Sequence, residues 1–127
     1  MVQKILVIDD SKLVHSMYSQ LLKRYKCEFV HAMNGAEGMD KLAVEGDIDL
    51  ILLDIDMPVM TGLQFLEKVR QEDIYNDIPI IVISTQGKEE DIKKGLELGA
   101  NAYIIKPFET SDLYSLIDKI KAKSRTK

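Results

Sequence analysis

The chain has 127 residues, 46% hydrophobic and 30% charged, with seven Gly and three Pro, the size and balance of one globular domain that buries about two thirds of its unfolded surface. That composition excludes disordered, collagen-like and low-complexity classes, and no apolar run approaches the roughly 20 residues that cross a bilayer, so no membrane association is expected. The formal charge is −4, but Lys119 to Lys127 hold five Lys or Arg and no acid, leaving 12 basic and 21 acidic residues in 1–118. A body this acidic repels phosphate backbones and speaks against direct nucleic-acid binding. Cys27 has no partner for an internal disulfide, and the first apolar run ends at once on two acids, unlike a secretory leader. A reduced, cytoplasmic setting is the expectation.

In chain order, Ile5–Ile8 predicts a first strand. Ser11 can then open a helix whose apolar face is Val14, Met17, Tyr18, Leu21, Leu22 and Tyr25, spaced i, i+3, i+4, i+7. Phe29–Ala32 predicts a second strand. Asn34-Gly35 has hairpin chemistry, but the weak helical pattern of Met39, Leu42 and Ala43 behind it favours a strand-to-helix turn. Ile48–Leu53 predicts the third strand, and Leu63, Leu66 and Val69 the third helix. Ile80–Ile83 is the fourth strand; Ile92 and Leu96 mark the fourth helix, which Gly99 can close in a left-handed conformation. Ala102–Ile105 is the fifth strand, and Thr110 or Ser111 can open a last helix built on Leu113, Leu116, Ile117 and Ile120.

Strands that are apolar throughout are covered on both faces, and five of them alternating with five helices specify an α/β domain with a parallel sheet and helices on both sides. Ligands of such open sheets sit beyond the carboxyl ends of the strands. The first strand runs into Asp9-Asp10, the third into Asp54, the fourth into Ser84-Thr85 and the fifth into Lys106-Pro107. Three carboxylates on neighbouring strand ends repel by about 1–4 kcal/mol per close pair. An oxygen-only cluster of this kind favours a hard divalent ion such as Mg²⁺, held by carboxylates, water and a substrate phosphate. His15 and His31 show no metal-ligand spacing with any Cys or His. The six Met read as core and loop residues, and Cys27 as a buried small hydrophobe near the second strand.

Asp9-Asp10 after Lys4-Ile5-Leu6-Val7-Ile8, the run Asp54-Ile55-Asp56-Met57-Pro58-Val59-Met60-Thr61-Gly62, the hydroxyl of Ser84 and the tripeptide Lys106-Pro107-Phe108 together resemble the receiver domain of two-component response regulators, chemotaxis-regulator-like and single-domain. The resemblance covers residues 3–121 and implies a flavodoxin-like fold of strand order 2-1-3-4-5. It implies a receiver at residues 1–121, followed by a basic tail at 122–127. Asp54 would accept a phosphoryl group from a sensor histidine kinase or phosphotransfer protein. Asp10, Asp54 and the backbone carbonyl of Asp56 would hold Mg²⁺ or Mn²⁺, with Asp9 acting through a metal-bound water. Lys106 would oppose the metal across the phosphoryl group, and the peptide before Pro107 would be cis. Ser84 and Tyr103 match the family's switch pair, with helix 4, strand 5 and helix 5 as the readout face.

Thr85 stands where many receivers have Ala or Gly, and its bulk is expected to narrow access to the phosphoryl group. Asp56 and Gln86 occupy the variable positions that tune self-dephosphorylation. His15 stands where many relatives carry Arg, a surface position expected to touch partners. The output protein is not legible, nor is the choice between a single-domain protein and a receiver cut from a longer one, or between a monomer and a phosphorylation-promoted dimer. Two rivals remain open at this point. One is a haloacid-dehalogenase-type phosphatase, which would use Asp54-Ile55-Asp56 but usually has Thr or Val where Pro58 stands and needs a larger chain. The other is an interaction module that is never phosphorylated, although such receivers usually lack one of the acids or the lysine. Neither G-x-x-x-x-G-K nor G-x-G-x-x-G occurs, so ATP is not the expected donor.

Overall fold

The computed structural model describes residues 4–55, 57 and 60–125, with side chains through residue 120. Five strands, β1 (Lys4–Ile8), β2 (Glu28–Ala32), β3 (Leu50–Leu53), β4 (Ile80–Ser84) and β5 (Ala102–Ile105), alternate with five helices, α1 (Lys12–Leu21), α2 (Gly35–Val44), α3 (Gly62–Arg70), α4 (Glu89–Glu97) and α5 (Thr110–Arg125). The strands form one parallel sheet in the order β2-β1-β3-β4-β5. This is the α/β architecture expected from the alternation of apolar runs and amphipathic helices.

Period-2 alternation along each strand divides the core in two. Leu6, Ile8, Ile51, Leu53, Ile80 and Val82 meet Leu42 of α2 and Phe65, Leu66 and Val69 of α3. Ile5, Val7, Leu50, Leu52, Ile81, Ile83 and Ile104 meet Tyr18 of α1 and Leu113 and Ile117 of α5. Each fully buried aliphatic side chain stabilises by about 1.5–3 kcal/mol, so a slip of one residue in any central strand would forfeit both layers at once.

The helix starts follow their capping chemistry. Ser11 accepts the Val14 N–H, Asn34 accepts the Glu37 N–H, and Thr61 with Gln64 forms a full capping box on α3. The Asn34-Gly35 pair thus opens a helix instead of turning a hairpin. Gly99 has φ 115° and follows α4 as expected.

Four local expectations are revised. The third strand begins at Leu50, because Asp47 takes a left-handed conformation (φ 62°) and the Asp49 carboxylate accepts the Lys4 N–H at 2.9 Å. Leu22 and Tyr25 are buried, but they lie in a 3-10 turn that tightens the end of α1. Met17 is 41% exposed and Leu96 45% exposed, so the apolar faces of α1 and α4 are only partly covered. Cys27 is half-buried, packed at the edge of the α1/α5 core, where burial pushes its thiol pKa up.

Candidate functional site

The sheet ladder carries the chemically distinctive residues into place. Beyond the strand ends, Asp9 N–H donates to the Ala32 carbonyl at 3.1 Å, Asp54 N–H to the Ile8 carbonyl at 3.0 Å, and Lys106 N–H to the Ser84 carbonyl at 2.8 Å. Each backbone is therefore still in register with its neighbour where its polar side chain appears. Asp9 (3% exposed) and Asp54 (8% exposed) are buried at the bottom of the site, and Asp10 is exposed at its mouth.

One oxygen from each of Asp9, Asp10 and Asp54 falls within 4.8 Å of the others. The Lys106 Nζ lies 3.7 Å from Asp9 Oδ2 and 4.0 Å from Asp54 Oδ1. The peptide between Lys106 and Pro107 is cis, as the resemblance implied. Asp9 Oδ1 also accepts the Ser11 N–H at 2.9 Å, which fixes its carboxylate against the start of α1. Three carboxylates and one ammonium leave a formal surplus of two negative charges, which one divalent cation balances. The donors are all oxygen, with no Cys or His in the cluster, and this fits Mg²⁺ or Mn²⁺ better than a soft or borderline metal.

Of the remaining expected residues, those described lie on β4, on β5 and in the loop that follows β4. Ser84 is fully buried, and its Oγ accepts the Gln86 N–H at 3.0 Å. Tyr103 is half-buried, and its hydroxyl donates to the Gln86 carbonyl at 2.7 Å. Thr85 is exposed and lines a groove shared with Lys106, Pro107, Phe108, Val14 and Met17. Asp56 lies outside the described residues, so its expected backbone ligand and its place beside Gln86 carry no geometry here.

His15 departs from expectation. It is buried (7% exposed) rather than presented to partners. Its Nε2 reaches the Asp9 carbonyl oxygen at 2.8 Å and its Nδ1 stands 2.7 Å from Nδ1 of His31. α1 presents its polar face to the edge of β2 here, and a ring that can satisfy both nitrogens is retained in the interior.

Two residues matter to the site that the sequence reading left without a role. A Cβ at Gly62 would collide with the Asp54 carbonyl oxygen and the Ile55 Cα, and the Gly62 N–H donates to the Ile55 carbonyl at 2.9 Å. The loop after β3 thus folds back directly on the phosphoacceptor candidate. The glycine just inside a capping box was the available signal. Tyr18, read only as an apolar-face residue, has its phenol pKa pushed up by burial and then by the charges of Asp9 and Asp54. Nothing in the helical periodicity distinguishes it from a plain core aromatic.

A doubly wound domain of this strand order, with an acidic cluster and one lysine at the carboxyl edge of its sheet, has the build of a signalling receiver. The model of the response regulator receiver domain matches residues 5–118. The chain is 35% identical to the chemotaxis protein CheY homolog of Campylobacter jejuni over 118 residues, covering 92% of this chain and 91% of that one. It is 38% identical to chemotaxis protein CheY1 of Helicobacter pylori over 83% of this chain and 86% of the relative. Among solved structures, chemotaxis protein CheY4 of Vibrio cholerae superposes with a TM-score of 0.85 at 31% identity, covering 94% of this chain and 99% of that one. A CheY-like receiver domain protein of Methanospirillum hungatei gives a TM-score of 0.87 at 28% identity, with both chains fully covered.

The chain belongs to the response regulator receiver domain family and is a receiver of the CheY type. Such domains are signalling switches of two-component systems rather than turnover enzymes, and the Asp54-Ile55-Asp56 run lies inside that family match rather than in a phosphatase of the haloacid-dehalogenase type. No helix among the described residues is long and apolar enough to cross a membrane.

Proposed function

We propose that this receiver is a phosphoacceptor switch in which Asp54 is the nucleophile, with residues 1–121 as the receiver unit and 122–127 as its basic tail. An Asp54 carboxylate oxygen forms a bond to phosphorus as the P–N bond of a phosphohistidine, on a sensor histidine kinase or phosphotransfer protein, breaks and the imidazole leaves. The observation that carries this reading is the Lys106 ammonium, 4.0 Å from the Asp54 carboxylate that would take on charge and 3.7 Å from Asp9. Phosphoryl transfer needs positioning and charge neutralisation more than covalent machinery.

Asp10, Asp54 and the Asp56 carbonyl would hold Mg²⁺ or Mn²⁺, with Asp9 behind them. The bound ion would supply neutralisation of the phosphoryl oxygens. Lys106 offers its ammonium to the same oxygens from the opposite strand, and Ser84 Oγ lies at the carboxyl end of β4 as a hydrogen-bonding partner for one of them. Ser84 Oγ can donate its proton to a phosphoryl oxygen while still accepting the Gln86 N–H, so drawing Ser84 toward the phosphoryl group would pull on the loop that Tyr103 also grips. The aromatic and its surroundings on α4, β5 and α5 then form the readout face, where Leu96 (45%) and Ile105 (41%) are exposed. Hydrolysis of the acyl phosphate by water, tuned by Asp56 and Gln86, resets the switch.

Incubation with acetyl phosphate and Mg²⁺, followed by intact mass measurement, tests the chemistry. One added phosphoryl group per chain, lost in Asp54→Asn and on chelation, is expected. Phosphorylation that persists in Asp54→Asn, or none in the parent under the same conditions, rejects the assignment.

A further inference from the structure

His15 and His31 are not used by the phosphoacceptor chemistry, and they are 16 residues apart, yet the fold turns them on each other. His15 sits on the inner side of α1 and His31 on β2, an edge strand of the sheet. His15 Nε2 stands 2.8 Å from the Asp9 carbonyl oxygen. A carbonyl only accepts, so Nε2 carries the proton and Nδ1 of the neutral ring keeps its lone pair. That lone pair faces Nδ1 of His31 at 2.7 Å, with the two rings inclined at 75°. Two in-plane lone-pair directions therefore converge on a single shared proton. A ring held by one N–H on a backbone carbonyl, with the other nitrogen free to ligate, is the usual posture of a metal-binding histidine.

We propose that His15 and His31 form a bis-imidazole site for a first-row divalent cation of high imidazole affinity, Zn²⁺ or Cu²⁺. The cation takes the place of the shared proton. His31 moves its proton from Nδ1 to Nε2, so both rings stay neutral and no net proton is released. Zn–N bonds of about 2.0–2.1 Å in tetrahedral geometry set the two nitrogens about 3.3 Å apart, so the pair opens by roughly 0.6 Å. His31, exposed on an edge strand, supplies that movement, while His15 stays anchored on Asp9. The remaining coordination positions open onto a groove of about 450 Å³ lined by Ser16, Ser19, Gln20 and Met33.

The charge around the pair decides which ions it takes. Lys12 lines the groove and Lys41 acts on His31 electrostatically, and among the described residues no carboxylate lines the groove to offset them. Mg²⁺ and Ca²⁺, which depend on anionic oxygen, are therefore excluded, and only an ion that gains strongly from imidazole nitrogen overcomes the local positive field. The site is chemically distinct from the carboxylate cluster, although Asp9 contributes its backbone to one and its side chain to the other.

The test is a Zn²⁺ titration of the full chain in saturating Mg²⁺, which occupies the carboxylate cluster, followed by calorimetry and by the ¹⁵N resonances of the imidazoles. One equivalent of Zn²⁺ should shift Nδ1 of both rings. His31→Gln, an exposed position, should weaken that equivalent by about tenfold or more, and Asp54→Asn should leave it intact. No Zn²⁺-dependent shift at either ring, equal affinity in His31→Gln, or loss of the equivalent in Asp54→Asn overturns the proposal.

Discussion

The Tyr103 hydroxyl donates to the carbonyl of Gln86 at 2.7 Å, while the N–H of the same Gln86 is held at 3.0 Å by the Oγ of Ser84. One residue of the loop after β4 is thus gripped from the sheet interior and from β5 together. Tyr103→Phe keeps the ring, which packs against Gly95 of α4, and deletes only the donor. It should lower stability in urea by about 1 kcal/mol while acetyl phosphate still modifies Asp54. An unchanged denaturation midpoint would show that the clamp contributes nothing.

Mg²⁺ should stabilise the fold, because only the folded chain brings Asp9, Asp10 and Asp54 within 4.8 Å of one another. At ten times its Kd the ion adds about 1.4 kcal/mol, and a chelator should remove that increment. Asp10→Asn should shrink the increment. Asp54→Asn, by removing one of three like charges, should raise the melting temperature measured without metal. A melting temperature indifferent to Mg²⁺ in the parent contradicts this.

Gly62 and Gly46 form a matched pair of tests. A methyl group at Gly62 meets backbone at Asp54 and Ile55, whereas at Gly46 nothing lies within 4 Å. Backbone cannot swing aside as a side chain does, so Gly62→Ala should cost about 2 kcal/mol or more and slow phosphorylation of Asp54. Gly46→Ala should do neither. Equal effects from the two substitutions, measured by denaturation and by the acetyl phosphate rate, would remove the steric argument.

Thr85 lies in the groove wall next to Lys106 and is exposed. If the bulk of this β-branched side chain beside Lys106 narrows access to the phosphoryl group, Thr85→Ala should take up phosphoryl groups from small donors faster than the parent. The comparison needs only the initial rate of mass gain with acetyl phosphate. Equal or slower uptake by the variant defeats the prediction.

The order of apolar runs and amphipathic helices was enough to expect a parallel sheet with helices on both sides, since strands that are apolar on both faces need cover on each. The site was legible to a similar depth: Asp9, Asp10, Asp54 and Lys106 stand at strand ends, and parallel strands place all their carboxyl ends on one edge. Where the reading failed, the deciding partner was remote in sequence. Ile48 reads as strand, but the Asp49 side chain caps Lys4, 45 residues away, and delays β3 to Leu50. His15 reads as surface until β2 brings His31 against it.

Local pattern therefore determined the class of fold, the helix caps and the residue types gathered at the carboxyl edge, because periodicity and capping are properties of neighbours along the chain. Tertiary structure alone decided distance and burial. It set the ammonium nearly midway between two buried carboxylates, closed the Gly62 turn onto Asp54, and drew Arg70 into hydrogen bonds with the carbonyls of Tyr75, Ile78 and Gly99. Those arrangements depend on how layers pack in three dimensions, and no one-dimensional spacing encodes the separation of two atoms brought together by different strands.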